Sequence, residues 1–119
     1  MTNNVVIIIS CGTDNTNRST RGLHLAKVAH EEGKNVSIFL LDEAVYLAKE
    51  GIITHVKAAT GDSADDLLAY LQVHEVPFIA CKPCAEARQI TEKDLTEGAR
   101  FGTGVELVRL ISDAAVISL

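Results

Sequence analysis

Tryptophan is absent from this 119-residue chain, and only two tyrosines and three phenylalanines are present. The core must therefore be built from valine, isoleucine, leucine and alanine. No stretch approaches the roughly 20 apolar residues that a membrane-spanning helix needs, so no membrane partner is expected. No run of lysine or arginine occurs. The balance of 11 basic and 16 acidic residues gives a net charge of −5, which leaves no stripe for a phosphate backbone and argues against direct nucleic-acid binding. The first apolar run, Val5 to Ile9, is short and has no basic segment before it. It reads as a strand and not as a secretion signal, and the chain is expected to be cytoplasmic with its thiols reduced at rest. Cysteine is scarce and odd in number, three in all. A CxxC among them, in a reducing compartment, points to metal, redox or catalytic use more than to a structural disulfide.

What is present is a 47% hydrophobic, 23% charged chain, which excludes disorder and fits one domain over residues 1–119. Strand and helix patterns alternate along it. Val5-Val6-Ile7-Ile8-Ile9 is apolar, β-branched and continuous, as expected of a strand buried on both faces. Residues 18–32 carry Gly22, Leu25, Ala26 and Ala29 at helical spacing, with Gly33 as the stop. Val36 to Leu41 is a second strand, Ala44 to Lys49 a short helix, and Ile52 to Val56 a weaker third strand. Ser63 opens a helix with Ala64, Leu67, Leu68 and Leu71 on one face. Pro77 to Ala80 reads as the fourth strand. Thr103 and Glu106 match a capping box before a last helix, and Ala115 to Leu119 closes the chain as the fifth strand. This order predicts an α/β fold, a parallel five-stranded sheet between two helix layers.

The chemistry gathers at Cys81-Lys82-Pro83-Cys84. Two thiols stand three residues apart, between an apolar strand and the helix-favouring run Ala85-Glu86-Ala87-Arg88. Pro83 suits a first helical turn. Sulfur at a helix start is predicted to sit where unpaired amides and the helix dipole favour a thiolate, the reactive form of cysteine. All strand ends of a parallel sheet share one edge, where ligands bind. Cys11 follows the first strand and Cys81 ends the fourth, so both are placed on that rim, with Cys84 one helical turn further on. The loop Gly12 to Asn17, including Asp14 and Asn15, and the pair Asp42-Glu43 are on the rim too. Arg88, four residues after Cys84, is placed to favour a thiolate; otherwise it is a solvated side chain. Cys11 reads equally as a small buried hydrophobe. A structural zinc site wants four ligands, often in two close pairs, and here only one pair exists. No cofactor is expected: Gly102-Thr103-Gly104 lacks the third glycine of a dinucleotide motif.

The segments Gly12-Thr13-Asp14-Asn15, Phe39-Leu40-Leu41-Asp42-Glu43-Ala44-Val45 and Cys81-Lys82-Pro83-Cys84-Ala85-Glu86-Ala87-Arg88-Gln89-Ile90 resemble the DsrE/DsrF-like family. The likeness runs nearly end to end, including Gly98 and Ala115-Val116-Ile117. It implies a three-layer α/β/α sandwich, Rossmann-like in outline, assembling as a homotrimer or homohexamer in the cytoplasm. Some relatives carry sulfur as a persulfide on a cysteine after the fourth strand, a position that corresponds to Cys81. Cys84 is an additional thiol that several carriers lack. The leading expectation is a persulfide carrier, and so a possible sulfurtransferase, taking sulfur from a persulfide donor and giving it to a thiol acceptor protein. One alternative is a dithiol oxidoreductase using Cys81 and Cys84. Another is a non-catalytic oligomeric binding module.

Overall fold

The computed structural model describes residues 2–119. Five strands form one sheet: β1 (Asn4–Ile9), β2 (Asn35–Leu40), β3 (Phe78–Cys81), β4 (Ala99–Gly102) and β5 (Ala115–Ser118). Their order is β4-β3-β2-β1-β5 and every pair is parallel. The helices are α1 (Thr16–Glu31), α2 (Ala64–Val73), α3 (Lys82–Ala87) and α4 (Gly104–Ile111). Three 3-10 turns, Asp42–Ala48, Ile53–His55 and Glu92–Asp94, complete the connections.

The predicted sheet is found, but its membership differs in one strand. Ile52 to Val56 is not a strand. It is a 3-10 turn entered from Gly51 at φ +89°. Ile53 and Val56, three residues apart, are both buried, which is the spacing of a 3-10 turn and not of a strand. The missing strand is β4, Ala-Arg-Phe-Gly, whose sequence has only Phe101 to recommend it. It forms because β3 offers a free edge. Cys81 therefore ends the third strand in chain order, not the fourth. Ala44 to Lys49, expected as an α-helix, is the 3-10 turn Asp42–Ala48.

Right-handed crossovers from β1 through β2 to β3 put α1 and α2 on one face of the sheet. The return from β4 to β5 puts α4 on the other. The strand residues sort accordingly. Ile7, Ile9, Ile38, Leu40, Phe78 and Ala80 join Leu23, Ala26 and Leu71 in the main core. Val6, Phe39 and Ile79, which alternate with them, are just as buried but lie outside that cluster. Two glycines let the layers close. A Cβ on Gly22 would stand 2.7 Å from Ile9 Cδ1, and one on Gly102 would stand 2.4 Å from Ile79 Cγ2. Caps fix the helix starts. Asn15 accepts the Arg18 N–H and so begins α1 at residue 16, two residues before the predicted start. Thr103 accepts the Glu106 N–H at 3.4 Å, but the Glu106 carboxylate turns to Arg100, so only half of the predicted capping box exists.

Candidate functional site

The parallel sheet delivers the predicted rim residues to one edge, and the strand order then separates them. β2 lies between β1 and β3. The exits that carry Cys11 and Cys81 are thus two strand spacings apart, about 10 Å. Cys11 is buried, whereas Cys81 and Cys84 are half-buried. Burial raises the Cys11 pKa first, and the Asp14 carboxylate raises it further against the opposing charge of Arg18. Neither Cys81 nor Cys84 figures among the groups acting on Cys11. The structure brings two of the three sulfurs together and leaves the third with its own neighbours.

Asp14 and Asn15 shape the loop after β1. The Asp14 carboxylate accepts the Gly12 N–H at 2.8 Å, Asn15 caps α1, and Ser19 Oγ donates to the Gly12 carbonyl at 3.1 Å. Gly12 is required for a close approach. A Cβ there would lie 2.4 Å from the Glu43 carbonyl oxygen. The loop after β1 thus lies directly against the turn after β2.

Cys81 is the last residue of β3 and the N-cap of α3, with Pro83 in the first turn. The expectation of a depressed pKa does not hold. The Cys81 pKa is raised, first by burial, then by interaction with the Cys84 thiol, and further by the charges of Cys84 and Asp42. The Cys84 backbone N–H acts in the opposite direction and is outweighed. The reason is the size of α3. A six-residue helix leaves little dipole to oppose the loss of water from a half-buried sulfur. At neutral pH Cys81 rests as the thiol.

Arg88 gives its hydrogen bonds to oxygen and not to sulfur, while its charge and that of Cys84 still act on one another. Its Nε and Nη2 both donate to Glu43 Oε1, at 3.0 and 2.7 Å, and Nη1 donates to the Cys84 carbonyl at 3.0 Å. One guanidinium therefore ties α3 to the turn after β2. Glu43, which the sequence placed on the rim without a role, is its partner, and the Arg88 pKa is raised chiefly by that contact. Asp42, beside Glu43, has φ +51°, a left-handed conformation uncommon outside glycine, asparagine and aspartate.

A groove of about 540 Å³ opens along β4, with Lys82, Phe101, Gly102 and Thr103 in its wall. The cysteines do not line it. Lys82 is its link to the thiol pair, and Gly102 is the β4 partner of Cys81 in register. Among the described residues, no group of three or more His, Cys, Asp or Glu side chains is arranged to hold a metal ion. No helix among them is long and apolar enough to cross a membrane.

The model of the DsrE/DsrF-like family matches residues 3–119. The uncharacterised protein MK0008 of Methanopyrus kandleri is 28% identical over 116 residues, covering 92% of this chain and 88% of the relative. The uncharacterised protein MJ0989 of Methanocaldococcus jannaschii is 30% identical over 108 residues, covering 91% of each. The crystal structure of the YchN protein from Escherichia coli superposes over the full length of both chains with a TM-score of 0.81 at 25% identity.

Proposed function

Because this chain belongs to the DsrE/DsrF-like family, we propose that it is a cytoplasmic sulfur-transfer protein that carries sulfane sulfur as a persulfide on Cys81. The observation that carries this reading is the half-buried Cys81–Cys84 pair at the carboxyl edge of a parallel sheet. A sulfur that is shielded but reachable can be approached by another protein's thiol. The Cys84 backbone N–H favours negative charge on the Cys81 sulfur.

In the loading step the Cys81 sulfur, on losing its proton, attacks the outer sulfur of a donor persulfide. A Cys81 Sγ–S bond forms, the donor's S–S bond breaks, and the electron pair leaves on the donor thiolate. In the unloading step an acceptor thiolate attacks the same outer sulfur, and Cys81 leaves and is reprotonated. Alternatively Cys84 attacks Cys81 Sγ, releasing hydrosulfide and leaving a Cys81–Cys84 disulfide. The raised pKa makes proton loss part of the barrier, so loading accelerates as pH rises toward the thiol's pKa.

The test is intact mass after exposure to glutathione persulfide. Wild type is expected to gain about 32 Da, one sulfur on a reactive thiolate. Cys81→Ser is expected to gain nothing, and Cys84→Ser to hold the adduct longer. An adduct of the same size on Cys81→Ser would refute the assignment.

The direct interaction of the two thiols favours a second reading, a dithiol oxidoreductase. A Cys81–Cys84 reduction potential near the cytosolic glutathione poise, with disulfide reduction well above a free-thiol control, would promote it over sulfur transfer. In either case the partners are protein thiols. The working unit is proposed to be a homotrimer or homohexamer.

A further inference from the structure

We propose that the Asp42 carboxylate sets the direction of sulfur traffic at Cys81, biasing the site toward release of sulfur. This rests on the carrier reading above. β2 and β3 are hydrogen-bonded neighbours, and Leu40 pairs with Ala80, so the chain leaving β2 through Leu41 and Asp42 passes beside Cys81. The turn it enters is held from several sides. The Gly12 backbone abuts the Glu43 carbonyl, Arg88 grips the Glu43 carboxylate, and the Ala44 N–H closes onto the Leu41 carbonyl at 3.0 Å. Asp42 itself takes a left-handed φ of +51°. Such conformations persist where the surroundings over-determine them. The Asp42 backbone is thereby held beside the end of β3, its carboxylate exposed on the rim that carries Cys81, while the Arg88 guanidinium gives its hydrogen bonds to Glu43 and the Cys84 carbonyl.

The consequence follows from charge. Persulfides are more acidic than thiols. At neutral pH, loading is Cys81–SH plus glutathione–SS⁻ giving Cys81–SS⁻ plus glutathione–SH. One S–S bond forms, one breaks, and the Cys81 proton ends on glutathione. The side chain goes from neutral to anionic. Asp42 opposes that change and favours its reversal, as a like charge in a half-buried site does. The raised Cys81 pKa, to which Asp42 contributes, is the same repulsion seen with a proton in place of sulfur. The other groups facing Cys81 are the Cys84 thiol and backbone N–H on α3. Lys82 follows it in the chain.

Two measurements test this, both in a Cys11→Ser, Cys84→Ser background so that Cys81 is the reacting thiol. In the first, the pH dependence of Cys81 alkylation by iodoacetamide is compared among Asp42, Asp42→Asn and Asp42→Glu proteins. The midpoint is expected to fall by about half to one pH unit in Asp42→Asn and to return in Asp42→Glu. In the second, the loaded fraction is read by intact mass at a fixed ratio of glutathione persulfide to glutathione. The ratio of loaded to unloaded protein is expected to rise about three- to tenfold in Asp42→Asn. Asp42→Gly removes the charge and relieves the left-handed backbone at once. It is expected to match Asp42→Asn, which separates charge from misfolding. An unchanged midpoint together with equal loading in Asp42 and Asp42→Asn proteins would overturn the inference and leave the carrier reading standing. Failure of every protein to load would overturn the carrier reading, and this inference with it.

Discussion

A half-buried thiol can be tuned by few forces, and at Cys81 they do not cancel. Burial, the Cys84 thiol and the Asp42 charge all favour the protonated form, and one backbone N–H opposes them. Cys11 is raised in the same direction by burial and Asp14. The native protein therefore holds both thiol protons more tightly than the unfolded chain does. The associated stability is fully present below the ordinary cysteine pKa, about 8.5, and is lost as pH rises through the higher folded value. Wild type is expected to lose more unfolding free energy than Cys81→Ser on going from about pH 7.5 to about pH 10.5, as measured by urea denaturation at each pH. Tyr70, also raised, adds a loss of the same sign to both proteins, so the difference between them isolates the thiol. Equal losses would show that Cys81 titrates alike in the folded and unfolded chains.

At the scale of elements, the site depends on how closely the exits of β1 and β2 approach. An alanine at residue 12 would put its Cβ 2.4 Å from a backbone carbonyl, and backbone cannot swing aside as a side-chain tip can. Gly12→Ala is expected to cost about 1–3 kcal/mol in chemical denaturation and to change the rate of Cys81 alkylation, because the Asp42–Glu43 turn must move. Gly104→Ala is the control. No atom lies within 4 Å of its Cβ, it opens α4, and alanine there is expected to be neutral or stabilising by up to about 1 kcal/mol. The same elements show why the sequence reads well in some places and poorly in others. β1 carries the unbroken apolar run Val5–Ile9, β2 is apolar from Val36 to Leu40 apart from Ser37, and α2 carries Leu67, Leu68 and Leu71 behind a Ser63 cap; local pattern and tertiary burial agree there. β4 owes its existence to the edge of β3, and no local pattern in Ala99–Gly102 announces that. The CxxC segment and its placement at a strand end were legible, since both are local. The Arg88–Glu43 pair joins residues 45 apart, and the separation of Cys11 from Cys81 follows from a strand order that periodicity does not encode.

At the scale of the molecule, one layer is unfinished. α1 and α2 bury their apolar faces in the main core, yet α4 has no buried residue, although five of its eight residues, Val105, Leu107, Val108, Leu110 and Ile111, are apolar. Leu107, Leu110 and Ile111 are half-covered. Val105 and Val108, one helical turn apart, are 60% and 59% exposed. β5, the edge strand that follows α4, leaves Val116 exposed as well. Scattered exposed valines need no explanation, whereas a helix and the next strand leaving apolar groups in water within a dozen residues form a surface that association would cover. The homotrimer or homohexamer proposed above gives that surface a partner in a second copy of the chain. Light scattering coupled to size exclusion is expected to find a trimer or hexamer for wild type and a smaller species for Val105→Asp, Val108→Asp. The charged pair is solvated in the free subunit, so circular dichroism of the variant should remain that of the folded chain. A wild-type mass equal to one chain at micromolar concentration would place these valines permanently in water. An oligomer that survives both aspartates would move the interface elsewhere, with the β4 edge and its groove beside Lys82 as the next surface to substitute.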